Sequence, residues 1–140
     1  MKILIVDDEP LVRKSLGRAC ASRGHVVVEA TDGLDGLEKW RAAPPELAFD
    51  LAFIDVLMPG LSGPDLLREI GPRGQTKAIL MSAYSGEHDV TAGRACTASE
   101  RSDDFMGTMT GADLFIPKPF DDIFAVVALA EALLQNAQTN

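Results

Sequence analysis

The stretch that decides the fold is KILIVDDEP, residues 2–10, where an apolar run ends in three consecutive acids. The run KILIV is typical of a short buried strand, and Pro10 suits the first turn of a helix that follows it. The carboxylates of Asp7, Asp8 and Glu9 repel one another, and a carboxylate held beside others has a shifted pKa. We therefore expect this cluster to hold a cation.

The composition indicates one globular domain of 140 residues, with 46% hydrophobic and 24% charged residues. The net charge of −8 argues against direct binding to nucleic acid or to anionic membranes, which require clusters of Lys and Arg. No apolar run reaches transmembrane length, and MKILIV is too short for a signal-peptide core. The two cysteines, Cys20 and Cys96, show no metal-binding spacing. These features predict a cytoplasmic protein.

Apolar runs alternate with helical patterns along the chain. Strands are predicted at residues 2–6, 25–30, 49–55, 77–83 and 113–118. Helix starts are predicted at Pro10, at Thr31 or Asp32, at Ser62 with Asp65 in a capping-box pattern, and after Asp121 and Asp122. This alternation predicts an α/β fold, a doubly wound sandwich of three layers around a five-stranded parallel sheet.

Reactive side chains follow four of the predicted strands. Asp7 and Asp8 end the first strand, Asp55 ends the third, Ser82 the fourth and Lys118 the fifth. Ligands of open parallel sheets bind beyond the carboxyl ends of the strands. We therefore expect these five side chains to form one site.

The residue types at this edge predict phosphoryl chemistry. Three carboxylates, from Asp7, Asp8 and Asp55, suit Mg²⁺, a hard ion that prefers oxygen ligands, with Mn²⁺ as the alternative ion. A carboxylate such as Asp55 can act as a nucleophile and form an acyl phosphate. The Ser82 hydroxyl and the Lys118 ammonium can stabilise the charge of the phosphoryl group.

The chain resembles the receiver domains of two-component response regulators over essentially its whole length. The resemblance rests on IVDDEP, LAFIDVLMPGLSG, AILMSAY and FIPKPF, which occur in the order typical of that family. It implies a flavodoxin-like sheet with strand order 2-1-3-4-5. It also implies that residues 1–140 form a single receiver domain, which we expect to act as a stand-alone component of a bacterial-type two-component or phosphorelay pathway.

The resemblance assigns a metal site and a phosphoacceptor. Asp7 and Asp8 would bind Mg²⁺ together with Asp55 and the main-chain carbonyl of Leu57. Asp55 would be phosphorylated by a histidine kinase or a histidine phosphotransfer protein. The Lys118–Pro119 peptide bond is expected to be cis.

The resemblance also implies a switch. Ser82 and Lys118 would sense the phosphoryl group, and Phe115 would turn inward in response. The surface of the fourth helix, fifth strand and fifth helix would then bind a downstream protein, or a second copy of an otherwise monomeric chain. Leu57 and Tyr84 are expected to set the lifetime of the phosphoryl group, because both would flank the path of the attacking water.

One segment departs from the family pattern. The interval from Ser82 to Lys118 is longer than one helix and two short loops require. We expect an enlarged segment at about 84–111, with a helix at 99–110 and a loop or an extra short helix at 85–98. Alternatively, the helix lies around 87–96. This segment would change partner choice, or it is a tolerated surface insertion. The polar tail at 136–140 is expected to fray.

Three rival functions remain at the level of sequence. A pseudo-receiver scaffold would act without phosphorylation, although all five functional positions are present. A phosphatase with an aspartyl nucleophile would commonly need a second acid at the position of Leu57. A flavin or nucleotide binder would need a phosphate-binding loop where DDEP stands. The favoured interpretation is a switch that accepts a phosphoryl group and loses it by its own hydrolysis, and not an enzyme that turns over a diffusible substrate.

Overall fold

The structure, a computed structural model, describes residues 1–82, 96–97 and 111–138. The strands are β1 (Lys2–Val6), β2 (Val26–Ala30), β3 (Leu51–Asp55), β4 (Lys77–Ser82), β5 (Cys96–Thr97) and β6 (Leu114–Pro117). The helices are α1 (Pro10–Ser22), α2 (Gly33–Ala42), α3 (Gly63–Ile70) and α4 (Ile123–Gln138), with a 3₁₀ turn at Pro45–Leu47. Within the described residues, no helix is both long and apolar enough to cross a membrane.

The strands form one sheet in the order β2-β1-β3-β4-β6-β5. Strands β1, β2, β3, β4 and β6 pair with one another in parallel. The predicted five-stranded parallel sheet of order 2-1-3-4-5 is therefore confirmed, with β6 as its fifth strand.

The sheet has one strand that the sequence did not predict. Residues 96–97 were expected in a loop or short helix, or at the end of a helix at 87–96. They form β5 instead, which pairs antiparallel with β6 and places Cys96 opposite Phe115. This pairing satisfies backbone groups on an otherwise open edge of the sheet, which explains why an extended conformation is favoured. The predicted helix at 99–110 and the rest of the alternative at 87–96 lie outside the described residues.

Within the part of the chain that the structure describes, two helices cover each face of the sheet. Helices α1 and α4 cover one face, where Leu16, Cys20 and Val127 pack on the sheet, and α2 and α3 cover the other. Alternate residues of β3 belong to the two cores, with Phe53 on the α1 and α4 side and Ile54 on the opposite side. Burial on both faces explains why the strands are continuous apolar runs.

Two of the predicted helix starts, those of α2 and α3, have side-chain caps at the residues that the sequence indicated. Asp32, the N-cap of α2, accepts a hydrogen bond from the backbone N–H of Asp35 at 2.8 Å. The Ser62 hydroxyl caps α3 by accepting from the backbone N–H of Asp65 at 3.2 Å. Each such cap contributes about 1 kcal/mol to the free energy of unfolding. These caps set the residues at which α2 and α3 begin.

Gly63 allows α3 to begin directly against the end of β3. Its backbone N–H donates to the Val56 carbonyl at 2.9 Å. A Cβ at this position would lie 2.5 Å from the Asp55 carbonyl oxygen. Only glycine lets the chain pass this close to the strand end that carries Asp55.

Candidate functional site

The sheet register brings the polar strand ends to one edge. The register aligns Val6 with Ile54, Asp55 with Met81, and Ser82 with Pro117. The next residue after Pro117, Lys118, donates its backbone N–H to the Ser82 carbonyl at 2.8 Å. The carboxyl ends of β1, β3, β4 and β6 therefore meet at this edge, as the sequence predicted.

Three carboxylates converge there. One oxygen from each of Asp7, Asp8 and Asp55 lies within 4.8 Å of the other two. Asp7 and Asp55 are buried, whereas Asp8 is exposed. Two buried carboxylates side by side are unfavourable unless a positive charge compensates them. The all-oxygen donor set fits a hard divalent cation such as Mg²⁺.

The ammonium of Lys118 supplies part of that compensation. Its Nζ lies 3.0 Å from Asp7 Oδ2, 3.0 Å from Glu9 Oε1 and 3.4 Å from Asp55 Oδ1. Its side chain is only 4% exposed. Burial alone would lower the pKa of Lys118, but hydrogen bonds to Glu9 and Asp7 and the charge of Asp55 outweigh it and raise the pKa. Lys118 is therefore positively charged at neutral pH.

Asp55 is harder to ionise than an ordinary aspartate. Burial, followed by the charge of Asp7, raises the pKa of Asp55 to about 7, although Lys118 opposes the shift. Additional positive charge at this edge would hold Asp55 in the carboxylate form. The charge state of this side chain thus depends on the cations around it.

The sequence of the chain matches a known signalling family. The sequence model of the response regulator receiver domain matches residues 3–130. The chain belongs to this family. Among curated relatives, the transcriptional regulatory protein CseB of Streptomyces coelicolor is 32% identical over 131 residues, which cover 94% of this chain and 48% of CseB. The receiver domain thus spans about half the length of the curated relatives it matches.

Solved structures agree on the fold. A CheY-like receiver domain protein from Methanospirillum hungatei is similar with a TM-score of 0.76 and 23% identity, and the match covers 99% of this chain and 96% of that one. The response regulator TrrA of Thermotoga maritima, solved in complex with Mg²⁺–BeF, has a TM-score of 0.67 and 26% identity, with 95% and 97% covered. The fold of this receiver domain is therefore that of its family.

The remaining predicted site residues occupy different environments. Ser82 is buried at the end of β4, and Phe115 is buried in the middle of β6. Leu57 is 66% exposed, just beyond Asp55. The Lys118–Pro119 bond is cis, as predicted. Tyr84 lies outside the described residues.

Two residues of this receiver domain were missed as site residues. Glu9, noted only as the third acid after the first strand, holds Lys118. Arg13 is buried and donates from Nη1 to the Asp7 carbonyl at 2.8 Å and from Nε to Glu29 Oε1 at 3.2 Å. A signal for Arg13 existed, because it precedes the buried Leu16 by three positions and so lies on the inward face of α1.

Proposed function

We propose that this receiver domain accepts a phosphoryl group on Asp55 from a phosphohistidine of a histidine kinase or a histidine phosphotransfer protein. The observation that carries the proposal is the position of the Asp55 carboxylate, between two further acids and the Lys118 ammonium. Such a site combines a nucleophile with groups that stabilise phosphoryl charge. The proposed setting is a cytoplasmic two-component or phosphorelay pathway.

The proposed metal site consists of Asp7, Asp8 and Asp55 with the main-chain carbonyl of Leu57. Mg²⁺, or Mn²⁺ in its place, would supply positive charge that neutralises the phosphoryl oxygens during transfer. The relative TrrA, which was solved with Mg²⁺–BeF, supports the choice of ion.

In the proposed transfer, an Asp55 carboxylate oxygen attacks phosphorus in line with the donor nitrogen. The new O–P bond makes an acyl phosphate, and the electron pair of the broken P–N bond returns to the histidine ring. Lys118 stays protonated and orients the phosphoryl oxygens. The Arg13 bond to the Asp7 carbonyl keeps the backbone of the metal-binding acids in place.

The phosphoryl group would act as a switch. It adds about −1.5 to −2 charge at neutral pH, to which the Ser82 hydroxyl would donate a hydrogen bond. Phe115 is already buried in this structure, so phosphorylation would stabilise its inward position and shift the population toward one of two states. The output surface would be formed by β6, α4 and the segment between β4 and β6, for a downstream protein or a weak homodimer.

The test is intact-mass spectrometry after incubation with Mg²⁺ and acetyl phosphate. Wild type should gain the mass of one phosphoryl group, and chelation of Mg²⁺ should prevent the gain. Asp55→Ala and the isosteric Asp55→Asn should remain unmodified. The control Asp65→Asn, which changes an exposed carboxylate of α3, should behave like wild type. An unmodified wild type would contradict the proposal and favour a scaffold that acts without phosphorylation.

A further inference from the structure

Glu9 binds the phosphate-sensing lysine from the solvent side. Its Oε1 lies 3.0 Å from Lys118 Nζ, and its side chain is 58% exposed. The other two partners of this ammonium among the described residues, Asp7 and Asp55, are both buried. Lys118 thus has one partner that water can reach and two that it cannot.

A lysine ammonium has three N–H donors, and three carboxylates already surround this one. A phosphoryl group on Asp55 would bring additional oxygens that need these donors. The donor that now faces Asp55 can turn to one of these oxygens, and any further phosphoryl oxygen competes with Asp7 and Glu9 for the other two donors. Withdrawing Lys118 from buried Asp7 would remove an ion pair that water cannot replace, whereas the exposed Glu9 carboxylate can exchange its ion pair for water at little cost.

We propose that Glu9 is a positioning residue that competes with the phosphoryl group for Lys118. The inference rests on the proposed function of Asp55 as phosphoacceptor. In the unphosphorylated protein, Glu9 holds the lysine beside the acids at the start of α1. On phosphorylation the lysine leaves Glu9, so Glu9 lowers the affinity of the site for a phosphoryl group.

The side chain of Glu9 can be replaced without removing the backbone contacts that hold the start of α1. Glu9 is the N-cap of α1, but its side chain makes no capping hydrogen bond. Its structural contacts are made by the backbone: the N–H donates to Asp7 Oδ1 at 2.9 Å, and the carbonyl accepts from the Arg13 N–H at 3.0 Å. These contacts are retained when Glu9 is replaced by Gln or Ala, and we therefore expect both variants to fold.

The test measures binding of beryllofluoride, a phosphoryl mimic, by calorimetry at saturating Mg²⁺ on the full chain. Glu9→Ala should bind it about threefold to tenfold more tightly than wild type, with Glu9→Gln in between because its amide oxygen still accepts a hydrogen bond. The control Asp121→Asn removes the same charge from an exposed position three residues after Lys118. The affinity of Asp121→Asn for beryllofluoride should stay close to that of wild type.

The outcomes separate the inference from the proposed function. Equal or weaker binding by Glu9→Ala, or equal tightening by Asp121→Asn, would overturn the role of Glu9 alone. A wild type that fails to bind beryllofluoride would overturn the proposed function and the inference with it. A purely structural role for Glu9 would lower the melting temperature of the metal-free protein without tightening beryllofluoride binding.

Discussion

At the scale of single residues, Asp55 has a position that suits reaction more than stability. It is buried beside Asp7, and both effects raise its pKa to about 7. A raised folded-state pKa means that the ionised carboxylate destabilises the folded protein. This destabilisation grows as pH rises from the ordinary aspartate range through 7. The same burial keeps water away from the Asp55 carboxylate, which the proposed transfer uses as the nucleophile.

Asp55→Asn should therefore stabilise the metal-free protein at pH 8 by about 1–3 kcal/mol, because it removes a buried charge while Lys118 keeps its contacts with Asp7 and Glu9. Urea unfolding in the presence of a chelator measures the change. Asp65→Asn should change the free energy of unfolding little. If Asp55→Asn is less stable than wild type, the prediction is wrong, and the charge of the Asp55 carboxylate is fully compensated by Lys118 without a metal.

A second prediction for single residues concerns the rate at which the phosphoryl group is lost. Leu57 and Tyr84 follow Asp55 and Ser82 by two positions, and the exposed Leu57 side chain is available to shield the acyl phosphate from water. Leu57→Asn and Tyr84→Asn should accelerate dephosphorylation. The loss of the phosphoryl group from purified phosphoprotein can be followed over time by intact mass. Unchanged rates in both variants would contradict the shielding role.

At the scale of elements, the contact between β3 and α3 couples helix packing to the site. The backbone of Gly63 lies against the Asp55 carbonyl and Val56 Cα, with no room for a Cβ. A side chain here would push α3 away from the strand end or displace Asp55. The position of Asp55 thus depends on one glycine of the following helix.

Gly63→Ala should lower the free energy of unfolding by about 1–3 kcal/mol, because the added methyl overpacks against backbone. It should also slow phosphorylation of Asp55. The matched control is Gly17→Ala in α1, where the added Cβ would first meet the end of the flexible Glu29 side chain, at 3.3 Å. Chemical denaturation and the acetyl phosphate reaction measure both effects. Equal stability of the two variants would mean that the loop after β3 adjusts freely.

At the scale of the whole molecule, Glu131 of α4 ties the last helix to the connection between α1 and β2. Its carboxylate accepts from Arg23 Nη2 at 2.7 Å and Nε at 2.8 Å, and lies 2.7 Å from His25 Nε2. Hydrogen bonds from Arg23 and then His25 lower the pKa of Glu131 to about 2. This cluster holds two helices of one layer together, at the edge of the sheet opposite Asp55.

The depressed pKa predicts the effect of acid on stability. The contribution of Glu131 is complete above its ordinary pKa of about 4.3 and is lost as pH falls toward 2, where the folded protein also takes up the proton. Wild type should therefore be more stable than Glu131→Gln at pH 6, and the difference should shrink between pH 4.5 and 2. Thermal unfolding across this range tests the prediction, and a constant difference would contradict it.

The sequence by itself determined the strand order of the parallel sheet, through the family resemblance, and the acids, hydroxyl and lysine at its edge. Local patterns are sufficient there, because apolar runs define the strands and parallel strands bring their carboxyl ends together. The same holds for the caps at Asp32 and Ser62, which need only residues three positions apart.

Only the tertiary structure decided which groups pair with one another. The contact of Lys118 with Glu9 joins residues 109 positions apart, and that of Glu131 with His25 joins residues 106 apart. The edge strand β5 likewise exists only because the side of β6 offers backbone groups to pair with. Such contacts depend on where packing places side chains and strand edges, and no local pattern carries that information.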